Sequence, residues 1–442
     1  MLRSFAACAL AGAAAVAAIP TLSVKGSKFF TSEGNQFYVK GIAYQLVPDD
    51  PLLDATQCGL DAALMKSIGT NSIRVYHVDP AGDHTTCMSA FADAGIYLWL
   101  DLDTFDTQIE QRAPTWNESQ RDAFAAVMDE FQQYDNLAGF FVGNEVLTTA
   151  NGSVAAPYVK AAARDMKAHR EANKYRSIPI GYSAADIASL RPMLQNYLAC
   201  GSNASEALDF FSLNAYSWCG DSDYKTSGYA MLEANATAYS IPIFLSETGC
   251  QTVRPRTFQD QTAIFGDMAD TWSGSIIYEW IEEANNYGLV SYGTKVDPAS
   301  PSAPPDGFPR SGTPIPLQPD FSNLGNVWKT LSPTGVQESA YKPTNSAPEC
   351  PDQTSGVWDV NPTSALPTLG QVYSAQPATA TAGASGSGSG SASGTARPSG
   401  TASGSASHAS ASSTGAATDG RSRELTGAGA ALVAVMAVFA WW

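Results

Sequence analysis

The chain has 442 residues, of which 44% are hydrophobic, and its formal net charge at pH 7 is −17. This acidic balance argues against nucleic acid as a partner, because phosphate binding requires a basic surface. With only 4 His and no Cys-x-x-Cys pair, the chain does not read as a zinc enzyme, and we expect neither a metal nor a cofactor.

The N-terminus has the composition of a secretory signal peptide. Arg3 precedes an apolar run from Phe5 to Ile19 that ends in small residues. The run is too short to cross a bilayer. We therefore predict that residues 1–18 are a signal peptide and that the mature protein is secreted.

Short apolar runs rich in β-branched and aromatic residues recur through the predicted catalytic domain, residues 19–350. Their length and composition are typical of buried strands. The eight predicted strands are Phe37–Ala43, Ser72–Val75, Tyr97–Leu102, Gly139–Val142, Ile178–Tyr182, Phe210–Leu213, Ile243–Leu245 and Ser275–Tyr278.

Helical patterns fill the gaps between these strands. Apolar residues follow i, i+3, i+4, i+7 spacing in 124–131 and 159–166, and weaker patterns lie at 229–232 and 264–268. Alternating strands and helices predict parallel strands with helical crossovers, and eight units favour a closed (β/α)8 TIM barrel. An open nucleotide-binding sheet would need a glycine-rich loop after the first strand, and residues 41–45 are no such loop.

The predicted strands end in polar and aromatic residues, and active sites of such barrels lie at these ends. Carboxylates, amides and aromatic faces together are typical of a sugar-binding surface. The residues at the strand ends are Tyr44, Gln45, Tyr76, His77, Asp101, Asp103, Asn144, Glu145, Tyr182, Asn214, Tyr216, Glu247, Tyr278 and Glu279.

Two glutamates in this set predict glycosidic bond cleavage. Glu145 ends the fourth predicted strand and Glu247 the seventh, so their carboxyl groups can converge on one bond from opposite sides of the barrel mouth. We assign Glu145 as general acid/base and Glu247 as nucleophile, which requires carboxyl groups about 5–5.5 Å apart. Asn144 is placed to bind a substrate 2-hydroxyl, and Glu279 is the main rival for either role.

Six cysteines remain once the predicted signal peptide is removed, and in an oxidising compartment they predict three disulfides of open connectivity. Four Asn-x-Ser/Thr sequons also predict glycosylation. The sequons are at Asn117, Asn151, Asn203 and Asn235.

Beyond residue 350 the composition changes. We predict a linker at 351–375 and a disordered Ser/Thr/Gly-rich segment at 376–417. Residues 418–442 join a polar spacer to an apolar tail, which is the pattern of a GPI-attachment propeptide. A tail-anchor helix is the alternative, but the apolar run is shorter than the about 20 residues that span a bilayer. We therefore expect an anchor on the outer leaflet of the plasma membrane.

Seven short segments of the predicted catalytic domain together resemble the fungal cell-wall β-1,3-glucanosyltransferases of glycoside hydrolase family 72. The sequence departs from the family pattern in two places. Residues 46–48 replace a usual Pro-Gly-Gly, and Thr248 replaces a usual Tyr. The matching segments are 40–45, 71–76, 143–146, 181–186, 214–220, 246–250 and 283–290.

The resemblance implies a TIM-barrel enzyme that cleaves β-1,3-glucan internally and transfers the new reducing end to another glucan chain. It gives Glu145 and Glu247 the roles assigned above. It implies donor-site contacts by Gln45, Tyr76, Asp101, Asn144, Tyr216 and Tyr278, and disulfides Cys58–Cys87, Cys219–Cys250 and Cys200–Cys350.

The partners expected from the resemblance are donor and acceptor glucan chains, and we expect a monomer. A plain β-1,3-glucan hydrolase is the second hypothesis, because the same carboxylates serve hydrolysis. A non-catalytic wall-binding protein is the third, and it would need neither glutamate in register.

Overall fold

The computed structural model describes residues 18–46 and 49–374 of the chain. Eight parallel strands close into a barrel, which confirms the predicted (β/α)8 fold. The predicted signal peptide, apart from residue 18, and the predicted C-terminal segments from 376 onward lie outside the described residues. No helix in the described ranges is long and apolar enough to cross a membrane.

The strands of the barrel are those that the apolar runs predict, with shifted ends. The fourth barrel strand is longer than expected, the fifth begins at Ile180 and the eighth at Trp272. In chain order they are β4 (Val39–Ala43), β5 (Ser72–Val75), β6 (Tyr97–Asp101), β7 (Leu137–Asn144), β8 (Ile180–Ala185), β9 (Phe210–Asn214), β10 (Ile243–Thr248) and β11 (Trp272–Ile277).

Eight helices surround the barrel in the described part of the chain. In α3 the predicted apolar stripe is buried, and the Asn117 and Gln120 side chains form a capping box at its N-terminus. The helix expected around 264–268 instead ends at Ile264. The helices are α1 (Ala55–Ser67), α2 (Thr85–Ala94), α3 (Glu118–Phe131), α4 (Ala156–Ala172), α5 (Arg191–Ala199), α6 (Tyr229–Ala236), α7 (Asp260–Ile264) and α8 (Asp320–Thr330), and a 3₁₀ turn spans Ala150–Ala155.

Two small antiparallel sheets complete the fold. The strands β1 (Leu22–Lys25), β2 (Lys28–Thr31) and β3 (Gln36–Phe37) precede the barrel, and β12 (Val290–Ser291) pairs with β13 (Ile315–Pro316) after it. Phe29 of β2 packs edge-on against Trp99, at 5.2 Å between ring centroids. Because Trp99 belongs to the inner barrel core, the first sheet closes the barrel at the end opposite the carboxyl ends of the strands.

Three disulfides cross-link the fold with the pairing that the resemblance implies. Cys58–Cys87 joins α1 to α2, and Cys219–Cys250 joins the segments that follow β9 and β10. Cys200–Cys350 ties the end of α5 to the segment after α8. Of the predicted glycosylation sites, Asn151 and Asn203 are exposed, whereas Asn117 and Asn235 are half-buried.

Residues 351–374, predicted as a linker, pack on the barrel instead. Trp358 is fully buried and its ring lies 5.5 Å from that of Tyr197. The backbone N–H of Asp359 donates to the Ser153 hydroxyl at 2.8 Å. The folded body therefore continues past Cys350, because this segment carries large apolar side chains that the Ser/Thr/Gly-rich segment 376–417 lacks.

We expect Trp358→Ala to lower the free energy of unfolding by about 3 kcal/mol, as for other buried aromatic side chains that are truncated. Val372→Ala is the matched control, because Val372 lies in the same segment but is 69% exposed. Denaturant unfolding followed by fluorescence measures both. Equal stability of the two variants would show that 351–374 is a linker after all.

Candidate active site

The floor of the site is built around Arg74, a fully buried charge in the middle of β5. Its Nε and Nη2 donate to the two carboxylate oxygens of Asp101 at 2.9 and 2.7 Å. Its Nη1 donates to Glu247 Oε1 at 3.2 Å and to the Ser183 hydroxyl at 3.1 Å, and its Nη2 also donates to Asn144 Oδ1 at 3.1 Å. One guanidinium on β5 thus contacts side chains from four other barrel strands.

Glu247 lies at the C-terminal end of β10 and is only 8% exposed. Three groups donate hydrogen bonds to its carboxylate: Arg74, the Tyr76 hydroxyl at 3.0 Å on Oε1, and the Tyr216 hydroxyl at 2.7 Å on Oε2. Burial, together with the nearby charge of Glu145, raises the pKa of Glu247 to about 7, and Arg74 opposes this shift.

Glu145 follows directly after β7 and is half-buried. Its φ of 49° lies in the left-handed region, which is unfavourable for a residue other than glycine. Its Oε1 accepts one hydrogen bond, from Asn214 Nδ2 at 3.0 Å. Burial raises the pKa of Glu145, with Asn214 and then Arg74 acting in the opposite direction.

The carboxyl groups of Glu145 and Glu247 have different hydrogen-bond donors. Three donors, one of them charged, stabilise the ionised form of Glu247, whereas one neutral amide contacts Glu145. Hydrogen bonds from charged donors are roughly twice as strong as neutral ones. These contacts therefore favour Glu145 as the protonated group and Glu247 as the carboxylate.

Asn214 holds both side chains of the Asn144-Glu145 pair. Its Nδ2 donates to Asn144 Oδ1 as well as to Glu145. Its Oδ1 accepts from the hydroxyls of Ser183 and Ser246, at 2.9 and 2.8 Å, which fixes the orientation of the amide. These contacts come from the buried ends of β8, β9 and β10, so the orientation depends on the barrel rather than on a loop.

Gln45 and Tyr278 lie together at the junction of the first and last barrel strands. Gln45 Nε2 donates to the Tyr278 hydroxyl and to Glu279 Oε2, both at 2.6 Å. Asn285 donates to the other oxygen of Glu279 at 2.7 Å. Each carboxylate oxygen of Glu279, the predicted rival for the catalytic roles, thus accepts a hydrogen bond from an amide.

Aromatic side chains line the same end of the barrel. Tyr216, Tyr278 and Tyr287 pack edge-to-face around one another, with centroid separations of 5.3 to 6.4 Å. Tyr182, in contrast, is fully buried, and its hydroxyl accepts from the backbone N–H of Leu147 at 3.3 Å. It supports the loop after Glu145 instead of facing a ligand.

The structure brings together every candidate catalytic and donor-site residue, and it adds one that the sequence analysis missed. Arg74 lies in the matching segment 71–76, and no role was predicted for it. An arginine in the centre of an otherwise apolar, buried strand is itself a signal, because a buried charge needs a partner. Both oxygens of Asp101 are occupied by Arg74, so Asp101 orients that side chain.

The two departures from the family pattern lie outside this network as far as the structure describes them. Thr248 is buried, and its hydroxyl contacts Tyr229 and Asp260 at 3.1 and 3.2 Å. Leu46 precedes the two residues, 47 and 48, that are outside the described ranges.

No group of three or more His, Cys, Asp or Glu suited to a metal ion occurs within residues 18–46 and 49–374. The side chains at this site include the two glutamate carboxyl groups, one guanidinium and several amides and phenols. This set can protonate a leaving group, attack a carbon centre and bind hydroxyl groups.

Known proteins share both the sequence and the fold. The profile of the glucanosyltransferase family matches residues 11–300. The 1,3-beta-glucanosyltransferase gas2 of Schizosaccharomyces pombe is 39% identical over 80% of this chain and 76% of its own length. The 1,3-beta-glucanosyltransferase gel1 of Aspergillus fumigatus is 40% identical over 79% of this chain and 74% of its own length.

A solved structure of Saccharomyces cerevisiae Gas2p, in complex with laminaritriose and laminaritetraose, superimposes with a TM-score of 0.71 at 38% identity. It covers 80% of this chain and 78% of that one. A mutant of the same protein with laminaritetraose and laminaripentaose gives a TM-score of 0.69 at 37% identity, over 78% and 74% of the two chains. The chain therefore belongs to the glucanosyltransferase family, glycoside hydrolase family 72, as its motifs indicate.

Proposed function

We propose that the protein is a retaining β-1,3-glucanosyltransferase, which cleaves β-1,3-glucan internally and transfers the new reducing end to another glucan chain. One observation carries the proposal: two glutamates from β7 and β10 share the network of Arg74 and Asn214 but differ in their hydrogen-bond donors. The names of the relatives and the laminari-oligosaccharides bound to Gas2p support the choice of substrate.

In the first half of the reaction, Glu247 attacks the anomeric carbon and Glu145 protonates the departing glycosidic oxygen. The C–O bond to the leaving chain breaks as the bond to the Glu247 carboxylate forms. The donor half, now a glycosyl ester, stays on the protein. Asn144 is placed to bind the 2-hydroxyl of the reacting sugar, where contacts strengthen in the transition state.

In the second half, Glu145 has lost its proton and acts as a base. It removes the proton from the 3-hydroxyl at the non-reducing end of an acceptor glucan. That oxygen attacks the anomeric carbon, and Glu247 leaves as a carboxylate. Two inversions give net retention, and the acceptor chain is lengthened.

We further propose that Gln45, Tyr76, Tyr216 and Tyr278 contact the donor chain, and that Asp101 acts through Arg74. The protein would be monomeric and held at the outer face of the plasma membrane by a GPI anchor. The support for this location is the composition of residues 1–18 and 418–442.

Transfer is tested by incubating the purified protein with reduced laminari-oligosaccharides of one length and sizing the products. We expect products longer than the substrate, because the glycosyl ester is intercepted by a second sugar chain. Products that are shorter only would establish a hydrolase with the same two carboxylates. No turnover of any β-1,3-glucan would contradict both.

Glu145→Gln and Glu247→Gln should each lower kcat on laminari-oligosaccharides by at least about 10³-fold, since each removes one half of the carboxyl pair. The roles are separated with a donor that carries an activated leaving group. Glu145→Gln should still form the glycosyl ester from that donor, because no protonation is needed. Glu171→Gln, on the exposed face of α4, is the control and should match the wild type.

The pH profile tests the assignment of Glu247. kcat/KM requires Glu247 ionised, so it falls as pH drops through the pKa of Glu247, which lies near 7. Tyr216→Phe removes a hydroxyl that stabilises the carboxylate, so the pKa rises and the acidic limb moves to higher pH by up to roughly one unit. Tyr175→Phe, whose hydroxyl contacts Asp129 outside the site, should leave the limb in place.

A limb that stays fixed in Tyr216→Phe, or moves to lower pH, contradicts the assignment of Glu247 as the group that must be ionised.

A further inference from the structure

Phe105 is an exposed aromatic side chain at the catalytic end of the barrel. It lies in the loop after β6 and is 55% exposed. Its ring packs against that of His77, from the loop after β5, with 4.6 Å between centroids and 44° between planes. His77 directly follows Tyr76, which contacts Glu247. The ring is thus held in place a short distance along the chain from the reaction centre.

Asp103 lies near this pair, and one oxygen of its carboxyl group lacks a hydrogen-bond partner. It is 8% exposed, and its Oδ1 has no hydrogen-bond partner among the residues that the structure describes. It lies in the loop after β6, two residues beyond Asp101, the last residue of that strand. A buried carboxyl oxygen without a hydrogen-bond partner is unfavourable for folding.

Neither residue contributes to the network around Arg74. Phe105 covers no core, and Asp103 makes no hydrogen bond to Glu145 or Glu247 within the described residues. The two features are complementary, because a pyranose ring offers C–H groups to an aromatic face and hydroxyl groups at its edge. An aromatic face carries negative charge density, which attracts the C–H groups.

We propose that Phe105 and Asp103 form a further sugar subsite, which holds one glucosyl ring of a β-1,3-glucan by stacking on Phe105 and hydrogen bonding to Asp103. His77 fixes the orientation of the Phe105 ring. The subsite rests on the proposed function, since its ligand is the same glucan. The ring could belong to the donor or to the acceptor chain, and the experiment separates the two.

The protonation of Asp103 agrees with this role. Burial, followed by the charge of Asp101, raises the pKa of Asp103 to about 8. Below that pH the group is a neutral carboxylic acid, which both donates and accepts hydrogen bonds. A glucan hydroxyl likewise donates and accepts, so it can satisfy both oxygens.

The first test compares Phe105→Ala and Phe105→Tyr with a matched control, Val336→Ala. Val336 is an exposed apolar residue whose N–H contacts Gln36 of the closing sheet, at the opposite end of the barrel. Rates on reduced laminari-oligosaccharides are measured with water and with a labelled glucan as the acceptor. We expect Phe105→Ala to lose about tenfold in sugar affinity and Phe105→Tyr to retain it.

The two sources of the ring give different results. If the donor chain stacks on Phe105, the KM for the donor rises in Phe105→Ala, and the ratio of transfer to hydrolysis is unchanged. If the acceptor stacks there, the donor KM is unchanged and the ratio falls about tenfold. Kinetics of Phe105→Ala that equal those of Val336→Ala would overturn the proposal.

The second test uses Asp103→Ala and Asp103→Asn. Removing an unpaired buried carboxyl should raise the thermal midpoint of the free protein, while the loss of its bond to the sugar raises KM. Asp103→Asn keeps groups that donate and accept, so it should retain most of the affinity. A lowered midpoint with an unchanged KM would make Asp103 a purely structural residue.

Failure of this subsite is distinguishable from failure of the proposed function. A wild-type protein that neither cleaves nor binds laminari-oligosaccharides contradicts the function itself. An active wild type with unaltered Phe105 and Asp103 variants contradicts only the subsite.

Discussion

A single buried guanidinium sets the electrostatics of this site. Arg74 carries one positive charge and contacts two carboxylates, Asp101 and Glu247. Asp101 takes the bidentate interaction, with the shorter distances, and Glu247 takes one longer hydrogen bond. Burial raises the pKa of Glu247 to about 7, because the single hydrogen bond from Arg74 offsets only part of the cost of burying its charge. A bidentate pairing with Arg74 would have lowered its pKa and weakened it as a nucleophile.

Asn214 makes the two glutamates different. Its amide satisfies one oxygen of Glu145 and leaves that carboxyl otherwise without donors, so burial there favours the protonated form. Tyr76 and Tyr216 do the reverse for Glu247. Two chemically identical side chains thus acquire separate roles from their neighbours, as paired carboxyl groups do generally when their environments separate their pKa values.

The strands and the polar residues at their ends were predictable, because periodicity and the order of elements determine where parallel strands end. The role of Arg74 was not predicted, since its meaning depends on partners from strands 27 to 173 residues away in sequence. The packing of Trp358 was also not predicted. A Pro- and Ser-rich segment is typical of a linker, and the sequence alone does not show the site on the barrel where its one tryptophan is buried. Local composition predicts whether a segment is a strand, a helix or a linker, whereas the residues it contacts are determined only when the barrel closes.

The disulfide Cys219–Cys250 adds a covalent constraint near Glu247, the proposed nucleophile. Cys219 follows Tyr216 by three residues, and Cys250 follows Glu247 by three. The bond therefore couples the carboxylate to the hydroxyl that stabilises it. In the proposed two-step transfer, this constraint helps to keep the glycosyl ester in position while the leaving chain departs and an acceptor arrives. Phe105, in the loop after β6, lies outside that cross-link and packs against His77, so the sugar binding proposed there can adjust without disturbing Glu247.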